Sequence, residues 1–172
     1  MLILGIDPGT ATTGYGLVTI KNNNFQLVDF GLIETERNGS PQERLLDIYK
    51  QITKIISDFK PDVMAIEKLF FFSNAKTVMR VGQAQGVMLL SAASKRLDVF
   101  EYAPAMIKKS ISGNGRADKK EVQKSIRKVL GAKARSRKNK KTHFDNSADA
   151  LAVAICHAFQ IGKAQIKKGV NE

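Results

Sequence analysis

Leu2-Ile3-Leu4-Gly5-Ile6 is an unbroken apolar or small run that ends on Asp7 and is closed by Pro8-Gly9. A short continuous run bounded by turn residues reads as a strand buried on both faces. Thr13 to Ile20 alternates loosely and is rich in β-branched and aromatic residues. Lys21-Asn22-Asn23-Asn24 makes a polar turn, and Phe25 to Thr35 returns as a third strand. Turns this short imply an antiparallel meander, which Asn38-Gly39 breaks.

The period then changes from strand to helix. Ser40 is a capping residue, Pro41 suits a first turn, and Glu43 completes a capping box. Leu45, Ile48, Ile52, Ile55, Ile56 and Phe59 supply the helical stripe, and Lys60-Pro61 ends it. Asp62 to Glu67 is a second apolar strand that closes on a carboxylate, as the Asp7 strand does. Asn74 to Arg96 reads as a long helix with Gly82, Gln83 and Gly86 along one line. Two interior glycines cost roughly 1 kcal/mol each, so a close approach to the sheet or to a second subunit is expected there. Asp98 to Ala103 is the fifth strand and Pro104 starts a short helix. After the Gly113-Asn114-Gly115 break, Asp118 to Leu130 is a basic amphipathic helix, and Ala132 to Thr142 is a basic loop. The last helix is expected over Asp145 to Gln160, where alanines at 148, 150, 152, 154 and 158 would let it lie close against the sheet. The order predicts an α/β domain, a mixed five-stranded sheet with helices on both faces in the ribonuclease H-like arrangement. One such domain spans 1–160, with a basic C-terminal tail over 161–172.

Charge narrows the function. The chain of 172 residues carries a net charge of +12, and the 34 residues from Lys108 to Lys141 hold fourteen Lys and Arg against two acids, Asp118 and Glu121. Elsewhere basic and acidic residues balance. A single-sign block of this density favours a polyanion, nucleic acid above all, over a merely solvated face. Cys156, the one cysteine, sits in an apolar run, which excludes disulfides and cysteine-based metal sites and fits a reducing cytoplasm. No apolar run approaches the ~20 residues of a membrane span, and no signal peptide is expected ahead of the Asp7 strand.

The acids carry the candidate chemistry. Asp7 and Glu67 end two strands expected to be neighbours, at the strand ends where ligands gather in open α/β sheets. For Asp7 the alternative is simple turn chemistry before Pro-Gly. Asp145 and Asp149, four apart, share one face of the last helix and fall in its expected first turn, where the helix dipole tolerates negative charge. Helix capping is the alternative for Asp145. Carboxylates ~4 Å apart repel by about 1 to 4 kcal/mol per pair at effective dielectrics of 80 to 20, a cost that divalent cations remove. All-oxygen ligation selects Mg²⁺ or Mn²⁺, and two such ions can activate water and stabilise the leaving oxygen of a phosphodiester. Acids for metal and a basic segment for the substrate together read as a nuclease.

The blocks GIDPGTATTGYG, IEKLFFFSNAKTVMRVGQAQGV, P-x-x-I-K…G-N-G-x-A-D-K and SADALAVAICHA resemble those of the RuvC-type Holliday junction resolvases of bacteria, in order and over nearly the whole chain. The resemblance implies a homodimeric, Mg²⁺-dependent endonuclease that nicks two opposing strands of a four-way DNA junction, served by a branch-migration motor complex. It implies Asp7, Glu67 and Asp149 as metal-binding acids and Phe70 as a junction-facing aromatic. Lys108 and Lys119 match its catalytic-site and DNA-backbone lysines. The helix around Gly82 and Gly86 resembles its dimer-forming helix, with Val78, Val81, Met88 and Leu89 as apolar contacts. In one place the chain departs from the pattern: the family's fourth acid (or His) falls on Asn146, so Asp145 is the expected fourth ligand, with Asn146 or His143 as alternatives. Arg80, Lys109, Arg116, Lys120, Lys133, Arg135, Arg137 and Lys138 join Lys108 and Lys119 as expected DNA contacts. GIDPGT also resembles the phosphate-binding hairpin of actin-like sugar kinases and chaperone ATPases, which need two such domains. Two rival functions remain open to the sequence: a YqgF-type nuclease acting on ribosomal RNA precursors, and a junction-binding protein without catalysis.

Overall fold

The computed structural model describes residues 1–21, 24–69, 75–131 and 141–169, with side chains described throughout except at 141–146 and 163–169. In chain order the elements are β1 (Leu2–Asp7), β2 (Thr12–Lys21), β3 (Asn24–Glu34), α1 (Pro41–Phe59), β4 (Val63–Glu67), α2 (Ala75–Ser94), β5 (Asp98–Tyr102), α3 (Pro104–Ser112), α4 (Lys119–Leu130) and α5 (Lys141–Gly169). The sheet runs β3-β2-β1-β4-β5. The first three strands form the expected antiparallel meander, and β4 and β5 lie parallel to β1. Part of the turn expected at Lys21 to Asn24 lies outside the described residues.

Two capping boxes start helices where the sequence places them. The Glu43 carboxylate accepts from the Ser40 amide at 2.8 Å and from its hydroxyl at 2.6 Å. At α4, Asp118 accepts from the Glu121 amide at 2.8 Å while Glu121 accepts from the Asp118 amide at 3.0 Å. Each satisfies orphan amides of a first turn.

Strand alternation sorts the sheet into two faces. Leu4 and Ile6 of β1 and Met64 and Ile66 of β4 point to one side, where Ile48, Ile52 and Ile56 of α1 and Ala84, Met88 and Ala92 of α2 cover them. Ile3 of β1 and Ala65 of β4 point to the other side, under α5, with α3 and α4 beyond. On this second face glycines stand where α5 comes closest to the strands. A Cβ on Gly5 would collide with the Ala150 carbonyl oxygen, and one on Gly16 would meet Leu151 Cδ2 at 2.6 Å. The expected alanines at 148, 150, 152, 154 and 158 are all buried, and α5 rests directly on the sheet backbone.

Three expectations need correction. α5 runs from Lys141 to Gly169 rather than from Asp145 to Gln160 and has no acid in its first turn, so neither dipole support nor capping accounts for Asp145 or Asp149. Asn139, Thr142 and Asp145 are all capping residue types, so the sequence offers several competing starts for this helix. Met88, expected as a subunit contact, is fully buried in the core. Of the two reasons expected for Gly82 and Gly86, close approach to the sheet fails: a Cβ on Gly82 would lie 3.6 Å from Leu69 Cδ1, and one on Gly86 would have no described atom within 4 Å.

Candidate active site

Asp7 is the last residue of β1 and Glu67 the last of β4. The parallel register pairs Ile6 with Ile66, so the two acids that follow end side by side. Alternation from Ile3 and Gly5 carries Asp7 to the α5 face, and alternation from Val63 and Ala65 carries Glu67 there too. Asp149 is the half-buried position in an otherwise buried stretch of α5 from Ser147 to Ala158. It is carried close to the sheet because Gly5 admits the helix backbone at Ala150.

The three acids feel one another. Burial, the Glu67 and Asp149 charges and a hydrogen bond with Glu67 push the Asp7 carboxyl up to about 8, against the opposing pull of Lys119. Glu67 is also raised, by burial first and the Asp149 charge second, while its bond from Asp7 and the Lys108 ammonium hold it back. The directions describe one arrangement: Asp7 keeps a proton and donates it to the Glu67 carboxylate. Asp149 reaches instead to Lys119 Nζ at 3.5 Å. The lysine comes from α4, a partner that the family resemblance named and that no local pattern on α5 could reveal.

The donor set is oxygen-only, with raised carboxyls whose repulsion a hard divalent ion would relieve, and in chemistry it fits such an ion. Among the described residues, no three His, Cys, Asp or Glu side chains are gathered tightly enough to hold a metal as they stand. Asp7 is bonded to Glu67 and Asp149 is drawn to Lys119, so binding asks Asp7 to give up its proton and Asp149 to turn from the lysine.

Two clefts flank the acids. One, of about 460 Å³, is lined by Glu67, Lys108, Lys119, Asp149 and the apolar Ile107 and Val122. The other, of about 270 Å³, brings Asp7, Pro8 and Glu67 against Leu69, Val78 and Val81. Lys109, Arg116 and Lys120 are exposed on α3, the following loop and the start of α4. Arg80 is exposed on α2. Phe70, Lys133, Arg135, Arg137 and Lys138 lie outside the described residues. Asp145, Asn146 and His143 fall in the first part of α5, where side chains are not described.

Sequence reading missed what holds the Asp7 loop. Arg44 of α1 donates from Nε to Thr35 Oγ1 at 2.8 Å and from Nη2 to the Thr10 carbonyl at 3.0 Å. Thr35 Oγ1 donates to the same carbonyl at 2.8 Å, and Thr13 Oγ1 donates to the Gly9 carbonyl at 2.7 Å. A second missed pair is Tyr102 and His157, with the hydroxyl 2.6 Å from Nδ1. Burial lowers the His157 pKa and helps push that of Tyr102 up to about 12. Both groups stay neutral, tying β5 to α5 beside the acids.

Strand-end acids facing a helix acid across a mixed sheet of this order define a nuclease of the ribonuclease H-like class. The family model described as "Crossover junction endodeoxyribonuclease RuvC" matches residues 3–157. The chain belongs to this RuvC family of crossover junction endodeoxyribonucleases. It is 45% identical over 158 residues to the crossover junction endodeoxyribonuclease RuvC of Alkaliphilus oremlandii, covering 92% of this chain and 93% of that one. The corresponding protein of Thermotoga petrophila is 42% identical over 171 residues, covering 99% of this chain and 100% of that one. The Thermus thermophilus RuvC structure solved with a Holliday junction substrate superposes with a TM-score of 0.83 at 30% identity, covering 94% of each chain. The yeast mitochondrial Holliday junction resolvase shares the fold, at a TM-score of 0.70 and 18% identity over 96% of this chain and 80% of that one. These findings favour junction resolution over the kinase-like, ribosomal RNA and non-catalytic readings.

Proposed function

We propose that the chain resolves four-way DNA junctions as a homodimer, by Mg²⁺-dependent paired nicks, with Mn²⁺ able to substitute. The observation that carries this reading is the placement of Asp7 and Glu67 at matched ends of parallel strands, facing Asp149 on α5. Asp7, Glu67 and Asp149 would hold the metal, two ions per site, with Asp145 as the fourth ligand. When bound, the ions supply an activated water and charge stabilisation for the leaving oxygen. The chain's own residues do the rest. Lys119 and Lys108 line the larger cleft on the side where a phosphodiester backbone would lie. Lys119 compensates Asp149 until substrate phosphate offers it a better partner. The Arg44 and Thr35 bonds fix the backbone of the loop that follows Asp7.

Paired nicking asks for two sites related by a two-fold axis and an isologous interface. α2 offers one: Gly82, Gly86 and Leu89 line a shallow groove, and Met79 and Leu90 stand 68% and 59% exposed along the same helix. Val78, also expected at this interface, half-buries into the cleft beside Asp7. A branch-migration motor complex is the proposed partner, and the cytoplasm the proposed location. Among the described residues no helix is long and apolar enough to cross a membrane.

The test is to incubate the protein with Mg²⁺ and a labelled four-way junction beside a linear duplex of the same sequence. Paired symmetric nicks in the junction alone are expected, and Asp7→Asn should bring cutting below detection while junction binding holds or tightens. Asp7→Asn that cuts at the wild-type rate would overturn the metal assignment.

A further inference from the structure

A cavity of about 260 Å³ lies between the loop after β3, the start of α1 and the outer side of α2, away from both acid clefts. Its walls include Thr10, Arg37, Arg44 and Arg80 beside the apolar Leu45 and Ile48, and among the described residues no carboxylate lines it. We propose that this cavity is a second phosphodiester-binding site, gripping the DNA backbone on the opposite side of the Asp7 loop from Lys108 and Lys119. The proposal rests on the junction-nuclease reading and adds to it a contact that neither the basic segment nor the acid site supplies.

Three arginines line this one space, and an anion bound there would relieve the repulsion of their like charges. Neither of the two ion pairs found among the described residues, Lys54–Asp58 and Lys119–Asp149, involves any of the three. Arg44 is already fixed by Thr35 and the Thr10 carbonyl, bonds that engage two of its five N–H donors. The remaining donors are held in a planar fork, the geometry that recognises phosphate. Arg37 and Arg80 are exposed and able to close on a ligand. A water's share of liquid volume is about 30 Å³, so the cavity has room for a phosphate and its nearest waters.

Location ties the cavity to the acids. Thr10 lies on the loop that leaves Asp7. α2 presents Thr77, Val78 and Val81 to the acid cleft and Arg80 and Gln83 to this cavity, so one helix edge separates the two. A strand crossing the Asp7 loop would then be held by phosphate contacts on both sides of the nick. That arrangement positions the scissile bond rather than merely attracting the DNA.

The experiment is a fluorescence-anisotropy titration of a labelled four-way junction without divalent metal, repeated over a range of KCl concentrations. It compares wild type, Arg37→Gln/Arg80→Gln and a control, Lys50→Gln/Lys95→Gln, whose exposed lysines lie outside the cavity. Arg44 is left intact because it holds the loop. The pocket variant should lower the log–log salt slope by about 0.9, the loss of one phosphate contact, while the control keeps the wild-type slope. An unchanged slope in the pocket variant, or an equal fall in the control, overturns the proposal. So does a variant that binds the junction normally but loses a Tm rise given by inorganic phosphate, which would make this a site for small free anions. If wild type nicks the junction and only the pocket result fails, the nuclease reading stands without this site. If wild type does not bind the junction, both fall.

Discussion

The two faces of the sheet are built on different principles. The α1 and α2 face packs large aliphatic residues, with Leu4, Ile6 and Met64 against Ile48, Ile52 and Met88, in a layer where shape is adjustable. The α5 face instead brings glycine and alanine into backbone contact, and a single added methyl at Gly5 would strike the Ala150 carbonyl. Both faces supply apolar burial, and the second also sets a distance. On that second face the three acids meet, so precision of approach is concentrated where charge must be placed.

A matched pair of one-methyl changes separates these roles. Gly5→Ala should cost about 3 kcal/mol by overpacking, and the displaced α5 should slow junction cutting by roughly 10²-fold. Ile52→Val removes one methyl from the other face; it should cost about 1 kcal/mol and leave the cutting rate unchanged. Denaturant melts and single-turnover nicking read both outcomes. Equal losses of cutting would mean that the faces are not functionally distinct.

Much of this contrast was legible in the chain. Asp7 and Glu67 could be placed at strand ends because each closes an apolar run, and the alanines of α5 announced a close helix. The capping boxes at Ser40 and Asp118 set two helix starts through local hydrogen bonds. What could not be seen depends on distance. Lys119 meets Asp149 only when α4 folds over α5, and Arg44 reaches Thr10 across 34 positions. Met88 and Leu89 are adjacent apolar residues, and only the rotation of α2 decides that the first is core. The early start of α5 was hidden because Asn139, Thr142 and Asp145 all offer competing caps.

The acid side carries a pH signature that the other face lacks. With its pKa raised to about 8, Asp7 binds a proton in the fold that the unfolded chain has released above the ordinary value of 3.8. The unfolded state therefore holds fewer protons over this window, and metal-free stability should fall as pH rises from about 4 to about 8. Glu67 shifts in the same direction and adds to the fall. Asp7→Asn removes the main source of the trend. Its Tm without metal at pH 8 should exceed wild type by roughly 4–8 °C, corresponding to ~2 kcal/mol. A lower Tm for the variant would contradict the raised carboxyl.

A smaller effect sharpens the contrast on α2, which packs the first face yet opens Gly86 to free space. A Cβ at Gly86 has no described atom within 4 Å, so Gly86→Leu should let the fold keep or gain about 1 kcal/mol from helix propensity. Sedimentation should nonetheless show a weakened dimer, with coordinated double nicking reduced to single nicks. A mutant that sediments as wild type would move the interface to another surface.

Asp7, Glu67 and Asp149 are proposed to form one metal site whose repulsion a proton relieves until the ion arrives. Calorimetric titration of Mg²⁺ into the protein at pH 7, in two buffers of different ionisation enthalpy, reads that proton. Metal ligation requires the deprotonated carboxylate, so about one proton per protomer should be released, and none in Asp7→Asn. Tight Mg²⁺ binding with no proton release, or equal release from the variant, would contradict it.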